Sequence, residues 1–193
     1  MPVGVLALQG DFAAHLAALR DAGVPAEPIR TAAGLERVDA LVLPGGESTA
    51  MLRLMASERL AERIAARVRA GMPVLATCAG VILLAREVAP AQESLALLDV
   101  AVVRNAYGRQ LHSSVATIDL DRALDGPSAM EGVFIRAPRI VRTGAGVTVL
   151  GRRGADPVLV SAGRIVAATF HPELGADRRV HALFRQLLES CDA

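Results

Sequence analysis

The chain has 193 residues, of which 52% are hydrophobic and 21% charged, with a formal net charge of +1. That length suits one domain with a sizeable core, and the composition excludes a disordered chain. A near-zero charge and 3% aromatic residues give no footing for nucleic-acid binding, and no apolar run reaches the ~20 residues of a bilayer span.

Val3 to Leu8 is a continuous apolar run, the mark of a strand buried on both faces. No basic segment precedes it, so the N-terminus reads as a first strand rather than a signal peptide. Asp11 can cap a helix over Phe12 to Ala22, with Leu16 and Leu19 inward and Gly23 ending it. Ala26 to Arg30 predicts a second strand and Asp39 to Leu43 a third, closed by Pro44-Gly45-Gly46. A helical stretch follows from about Ser48 to Ala70, broken near Ser57 and stopped by Gly71. Pro73 to Thr77 is the next buried strand and Gly80 to Val88 the next helix. This alternation argues for βαβ units.

The middle of the chain changes character. Val100 to Arg104, Ser114 to Leu120, Gly132 to Arg136, Arg139 to Arg142, Val147 to Arg152 and Pro157 to Val160 are short strand-like runs separated by Gly, Pro and Asp. They predict hairpin-like material inserted in or flanking the main sheet. Arg164 to Phe170 returns to a buried strand, and an amphipathic helix spans Arg178 to Glu189. The expectation is one three-layer α/β/α domain over residues 1–193, with a mostly parallel central sheet and inserted short antiparallel strands.

Cys78 falls where a buried strand gives way to a helix, among small neighbours. A sharp strand-to-helix turn lifts a side chain above the sheet, the helix start favours a thiolate, and the next backbone N–H can bind an oxyanion. Taken alone, the position reads more often as a plain buried cysteine. His171-Pro172-Glu173 follows the last buried strand. In a parallel sheet the carboxyl ends of strands share one edge, so His171 can neighbour Cys78 as general base, with Glu173 fixing its tautomer. Pro44-Gly45-Gly46-Glu47-Ser48 lies at the same edge. Its glycines permit close backbone approach, although alone it reads as a turn with Ser48 as helix cap, and it lacks the Gly-Lys-Ser/Thr ending of a phosphate loop.

His15, His112 and His181 show no metal-ligand spacing, so no metal is expected. His181 reads as packing or rim, and His15 faces either solvent or the site edge. Arg152-Arg153 reads as a solvated turn. Cys191 reads as inert, and two distant cysteines leave a reducing cytoplasm as the default compartment.

The motifs GVLALQGDFAAH (Gly4 to His15), LPGGESTAM (Leu43 to Met51), TCAGVILLA (Thr77 to Ala85), VVRNAYGRQ (Val102 to Gln110), FIRAP (Phe134 to Pro138) and ATFHPEL (Ala168 to Leu174) span nearly the whole chain. Together they resemble class I, triad-type glutamine amidotransferases, and within that class the glutaminase subunits of pyridoxal 5′-phosphate synthases. The resemblance implies a flavodoxin-like fold. It also implies hydrolysis of L-glutamine to L-glutamate and ammonia, with Cys78, His171 and Glu173 as the triad. Gly46, Glu47, Ser48, Arg104, Ile135 and Arg136 would hold glutamine. The backbone N–H groups of Gly46 and Ala79 would form the oxyanion hole, and Gln9 and Gly10 would lie near the synthase interface. The ammonia would pass to a barrel-shaped synthase subunit that makes pyridoxal 5′-phosphate from ribose 5-phosphate and glyceraldehyde 3-phosphate, with no cofactor in this chain and weak activity without the partner.

A free amino acid carries both charges, and Glu47 with Arg104 or Arg136 offers the matching pair. The alternatives are a glutaminase serving another synthase and a non-catalytic module on the same fold. Two positions depart from the family pattern: Ala76 stands where the elbow usually has glycine, and Ser113-Ser114-Val115 replaces a Ser-Phe-Glu continuation.

Overall fold

The computed structural model describes residues 1–106, 113–121, 124 and 126–190. The first half runs β1 (Val3–Leu6), α1 (Phe12–Asp21), β2 (Ala26–Ile29), α2 (Ala32–Glu36), β3 (Ala40–Leu43), α3 (Ser48–Ala56), α4 (Leu60–Arg69), β4 (Val74–Thr77) and α5 (Ala79–Leu84). The strands β5 (Ala85–Ala89), β6 (Leu98–Val103), β7 (Ser114–Leu120), β8 (Ala129–Phe134) and β9 (Arg139–Thr143) follow. The chain continues through β10 (Thr148–Arg153), β11 (Asp156–Ala162), β12 (Ile165–Ala168), a 3₁₀ turn at Pro172–Leu174 and α6 (Arg179–Glu189).

The main sheet has the order β2-β1-β3-β4-β12-β11-β10-β7-β8. From β2 to β12 every pairing is parallel, and from β12 outward every pairing is antiparallel. The short β-rich segments thus extend the sheet, while β5, β6 and β9 form a separate three-stranded sheet.

Side chains along the central strands alternate between two cores. Leu41 and Leu43 of β3, Val74 and Ala76 of β4, and Ile165 and Ala167 of β12 face the layer built by α2, α3, α4, α5 and the small sheet. Ala40, Val42, Leu75, Val166 and Ala168 face α1 and α6 through Leu19, Val180, Phe184 and Leu188. A strand buried on both faces must be apolar at every position, which is why these segments read as unbroken hydrophobic runs. Burying each Leu, Val or Ile there contributes about 1.5–3 kcal/mol.

Several local expectations hold. Asp11 caps α1, its Oδ1 accepting from the Ala14 N–H at 3.0 Å. The long helical stretch breaks after Ala56 into α3 and α4, with Arg59 at φ 53° between them. Leu19 is buried as expected, and Leu16 packs partly buried against the same core.

Others are corrected. The helix expected to reach Val88 ends at Leu84, because Ala85–Ala89 pairs with β6 as an edge strand and tertiary pairing overrides local helix propensity. Helix α2 is short and carries Gly34, so periodicity does not reveal it; Thr31 caps it, Oγ1 accepting from Gly34 N at 3.1 Å. Arg152 and Arg153 end β10 rather than forming a turn, and Arg153 lies over the Phe134 ring, 4.7 Å from its centroid. His112, Cys191 and the Gly108-Arg109-Gln110 part of the amidotransferase motif lie outside the described residues. Among the described residues no helix is long and apolar enough to cross a membrane.

Candidate active site

Because β1, β3, β4 and β12 run parallel, their carboxyl ends open on one edge. The segments leaving those ends carry Gln9-Gly10, Gly45 to Ser48, Cys78 and His171. With Arg104, Asn105, Ile135 and Arg136 they line a cleft of about 220 Å³. Of the residues expected at the site, all but Glu173 line this cleft, and Glu173 sits directly behind His171.

Cys78 occupies the turn between β4 and α5 with φ 47° and ψ −105°, a conformation L-residues rarely adopt. Its N–H donates to the Ala168 carbonyl at 2.8 Å, so β12 pins the elbow from one side. Its sulfur lies 3.8 Å from the Ile135 carbonyl. Ala76, where the family pattern has glycine, sits between Leu43 and Ala167 in register, fully buried, and the methyl group is absorbed in that core. Glycine is required at Gly45, where a Cβ would collide with the His171 ring, and at Gly80, where it would collide with the Leu43 carbonyl. The loop after β3 therefore lies against Cys78 and His171 together.

The loop is held from two sides. Glu47 N–H donates to Gln9 Oε1 at 2.5 Å, and a Cβ at Gly46 would press on the same oxygen. The cap of α3 is Glu47 rather than Ser48: its carboxylate accepts from Thr49 N at 3.1 Å and Ala50 N at 2.8 Å. These bonds, the Thr49 hydroxyl foremost, hold the Glu47 carboxyl below the usual range. Ser48 is buried and donates to Gln92 Oε1 at 2.8 Å. Arg104 Nη2 lies 3.6 Å from Glu47 Oε1, so the cation and anion offered for an amino acid stand side by side. Asn105 and Arg136 line the cleft with φ of 52° and 45°. Non-glycine residues at positive φ thus gather here, as strain does at functional sites.

His171 is tied by its N–H to the Val133 carbonyl at 2.8 Å, which couples it to β8. Its Nδ1 is 2.7 Å from Glu173 Oε1, a distance the 3₁₀ turn at Pro172–Leu174 fixes. Burial pulls the His171 pKa down, but hydrogen bonding to Cys78 and Glu173 and their charges outweigh it and raise it to about 10. Burial would raise the Glu173 carboxyl, and the hydrogen bond from His171 instead brings it below the usual range. The arrangement keeps an imidazolium beside the Cys78 sulfur, and the Glu173 carboxylate orients it.

Two residues set aside in the sequence stand behind Glu173. His15 is buried and faces inward, Nε2 lying 3.0 Å from Thr77 Oγ1 and 3.2 Å from Glu173 Oε2. The i-to-i+3 spacing of Phe12 and His15 on α1 carries no signal that distinguishes it from a core histidine. His181 of α6 is fully buried, its ring 5.7 Å from that of His15, and neither of its nitrogens has a partner among the described residues.

Burial first, and then the neighbouring His15, pull the His181 pKa down to about 3. An unfolded chain protonates this histidine below about pH 6.5, while the native state refuses the proton down to about 3. Its contribution to stability is therefore complete above about 6.5 and falls by about tenfold in the folding equilibrium per pH unit below it. His181→Leu is expected to flatten the loss of urea resistance between neutral and mildly acidic pH. Parallel decline in both proteins would refute a neutral buried imidazole.

Among the described residues no group of three or more His, Cys, Asp or Glu is placed to hold a metal ion.

Comparison with known proteins gives the family. The SNO glutamine amidotransferase family matches residues 5–190. "Pyridoxal 5′-phosphate synthase subunit PdxT" of Mycolicibacterium vanbaalenii is 51% identical over 188 residues, covering 94% of this chain and 95% of that protein. The protein of the same name from Thermotoga neapolitana is 45% identical, covering 98% of this chain and 100% of its own. Among solved structures, a glutamine amidotransferase superposes with a TM-score of 0.88 at 43% identity, covering 97% of this chain and 98% of that one. A Thermotoga maritima glutamine amidotransferase, at 17% identity and a TM-score of 0.62 over 100% of this chain and 85% of that one, shares the fold.

Proposed function

The chain belongs to the SNO glutamine amidotransferase family, and from that membership we propose that it hydrolyses L-glutamine and delivers the ammonia to a pyridoxal 5′-phosphate synthase subunit. The observation that carries the reading is the edge itself. A strained Cys78 elbow and a His171–Glu173 pair joined at 2.7 Å open into one cleft lined by Arg104 and Arg136.

In this reading the whole chain is one glutaminase domain. The Cys78 thiolate attacks the amide carbon, and the oxyanion rests on the backbone N–H groups of Gly46 and Ala79. Each such donor is worth about 10²–10³ in kcat. The carbon–nitrogen bond breaks as His171 gives its proton to the departing ammonia, leaving a glutamyl thioester. His171 then takes a proton from water, which attacks the thioester and releases glutamate and the Cys78 thiol. Arg104 and Arg136 supply positive charge for the substrate carboxylate. Glu47, Ser48 and Ile135 shape the same pocket.

Gln9 and Gly10 support a link to the partner. Gln9 grips the loop that carries Gly46, and Gly10 lies against Gly45 so closely that no side chain fits. A synthase subunit docking on this segment would set the Gly46 N–H and so switch on the oxyanion hole. The relatives' names, subunits of a pyridoxal 5′-phosphate synthase, support ammonia transfer to such a synthase, and in this reading that partner condenses ribose 5-phosphate and glyceraldehyde 3-phosphate. Two widely separated cysteines support a cytoplasmic setting.

Glutamate release should be measured with and without the pyridoxal 5′-phosphate synthase subunit. Stimulation of about 100-fold or more is expected, on the scale of one oxyanion donor set correctly. Turnover indifferent to this subunit would assign the glutaminase to another synthase.

A further inference from the structure

Glu173 lies between two imidazoles. His171 Nδ1 meets Oε1 at 2.7 Å, and on the far side His15 Nε2 lies 3.2 Å from Oε2. The Glu173 side chain is only 1% exposed, so bulk water does not reach the second oxygen. A buried carboxylate oxygen with nothing opposite it is costly, and the His15 ring is what stands opposite. An ionised carboxylate offers only lone pairs, so the nitrogen facing it must carry a hydrogen. A hydrogen on Nε2 has Thr77 Oγ1 at 3.0 Å to accept it, while Glu173 Oε2, at 3.2 Å, stands within ion-pair reach without an aligned hydrogen bond.

We propose that His15 is a positioning residue for the triad: a neutral Nε2–H imidazole that clamps Glu173 and ties it to Thr77, the residue before the nucleophile. The proposal rests on the glutaminase reading given above. His15 comes from α1, Thr77 from the end of β4, and Glu173 from the turn after β12. One ring therefore fixes the acid relative to the elbow across three separate elements.

The charge state follows from what surrounds the ring. Glu173, His171, His181 and Asp11 are the titratable groups facing His15. Burial dominates and lowers its proton affinity, and the His171 charge lowers it further against the pull of Glu173 and Asp11. A neutral His15 presents its Nε2–H dipole to Glu173 Oε2 at 3.2 Å without neutralising the carboxylate. The single negative charge of Glu173 is left to the His171 imidazolium, where the chemistry uses it.

The test uses His15→Leu, His15→Gln and Thr77→Val, each in the full chain. Leucine removes the donor, whereas the glutamine amide nitrogen can reach the place of Nε2. Thr77→Val keeps the shape and removes the hydroxyl. In the complex with the synthase subunit, His15→Leu is expected to lower kcat about 10–100-fold with KM within about twofold, the scale known for outer residues that orient a metal-bound histidine, taken here by analogy. His15→Gln should recover most of the loss.

In the free chain, the NMR resonance of the His171 Nδ1–H should shift in His15→Leu and return in His15→Gln. Equal loss in both His15 variants with that resonance unmoved would reduce His15 to packing and overturn the proposal. So would full activity in His15→Leu. If His15→Leu does not fold, His15→Gln with near-normal kcat and Thr77→Val with a shifted resonance sustain the clamp, while an unshifted Thr77→Val overturns it. The NMR arm needs no substrate, so it decides the role of His15 even if no synthase stimulates glutamine turnover.

Discussion

Cys78→Ala is expected to reduce synthase-stimulated glutamate release about a millionfold, to the level of uncatalysed hydrolysis plus binding. Removing the nucleophile of an acyl-transfer triad costs on this order, because the remaining groups act only through it. The protein itself should stay folded. Cys78 is 6% exposed, its neighbours Ala76 and Ala79 are small, and alanine loses one sulfur atom without adding bulk. The left-handed backbone at φ 47° is set by β4, β12 and α5 and is no worse for alanine than for cysteine. Glutamine should still bind, since the cleft's charged groups are untouched. The measurement pairs glutamate release with mass spectrometry of the denatured protein after brief exposure to glutamine. Wild type should carry a glutamyl adduct at Cys78 and the variant none. Residual turnover above about one per cent in the variant would assign the chemistry to another group.

The parallel half of the fold was legible because each strand is buried on both faces. Leu41, Val42 and Leu43, or Val74 and Leu75, cannot be polar anywhere, so they stand out as uninterrupted runs. The antiparallel half was legible only as strands. Nothing local says that β7 and β8 extend the main sheet while β5, β6 and β9 form their own, since pairing is decided by partners remote in sequence. Ala85–Ala89 shows the same limit, being helix-compatible residues held in a strand by β6.

The Cys78–His171–Glu173 cluster was legible from position, since cysteine and histidine both follow buried parallel strands that share an edge. Arg104 and Arg136 were visible only through family likeness, because an arginine in a loop has no spacing that marks it as a ligand. Glu47 was seen as a partner for substrate, yet its carboxylate also caps α3. His15 was least legible of all. Its role depends on Thr77 and Glu173, which lie 62 positions away and beyond, and no periodicity on α1 distinguishes an imidazole facing a carboxylate from one facing leucines.

Glu173→Gln separates orientation from nucleophilicity. The amide cannot serve both imidazoles as the carboxylate does. If its oxygen faces His171 Nδ1–H, its NH₂ faces the His15 Nε2–H, donor against donor, and the reverse placement imposes the wrong tautomer on His171. A wrong tautomer costs about 10⁴ in kcat in a related triad, so a loss of about 10³–10⁴ is expected here. The pH profile should change in a definite direction. His171 stands at about 10 because Cys78 and Glu173 together outweigh burial. Without the carboxylate, burial opposes Cys78 alone, the imidazolium gives up its proton sooner, and the alkaline limb of kcat/KM moves to lower pH.

Stability shifts as well. The Glu173 carboxyl titrates below its ordinary value in the folded state. Its contribution is thus present above about pH 4.5 and is lost as pH falls through the folded value. The glutamine variant lacks that contribution, so it should unfold earlier than wild type at neutral pH and approach it in acid. An alkaline limb that stays in place, with kcat reduced less than about tenfold, would mean that Glu173 neither orients nor charges His171, and the triad would contract to a Cys78–His171 dyad.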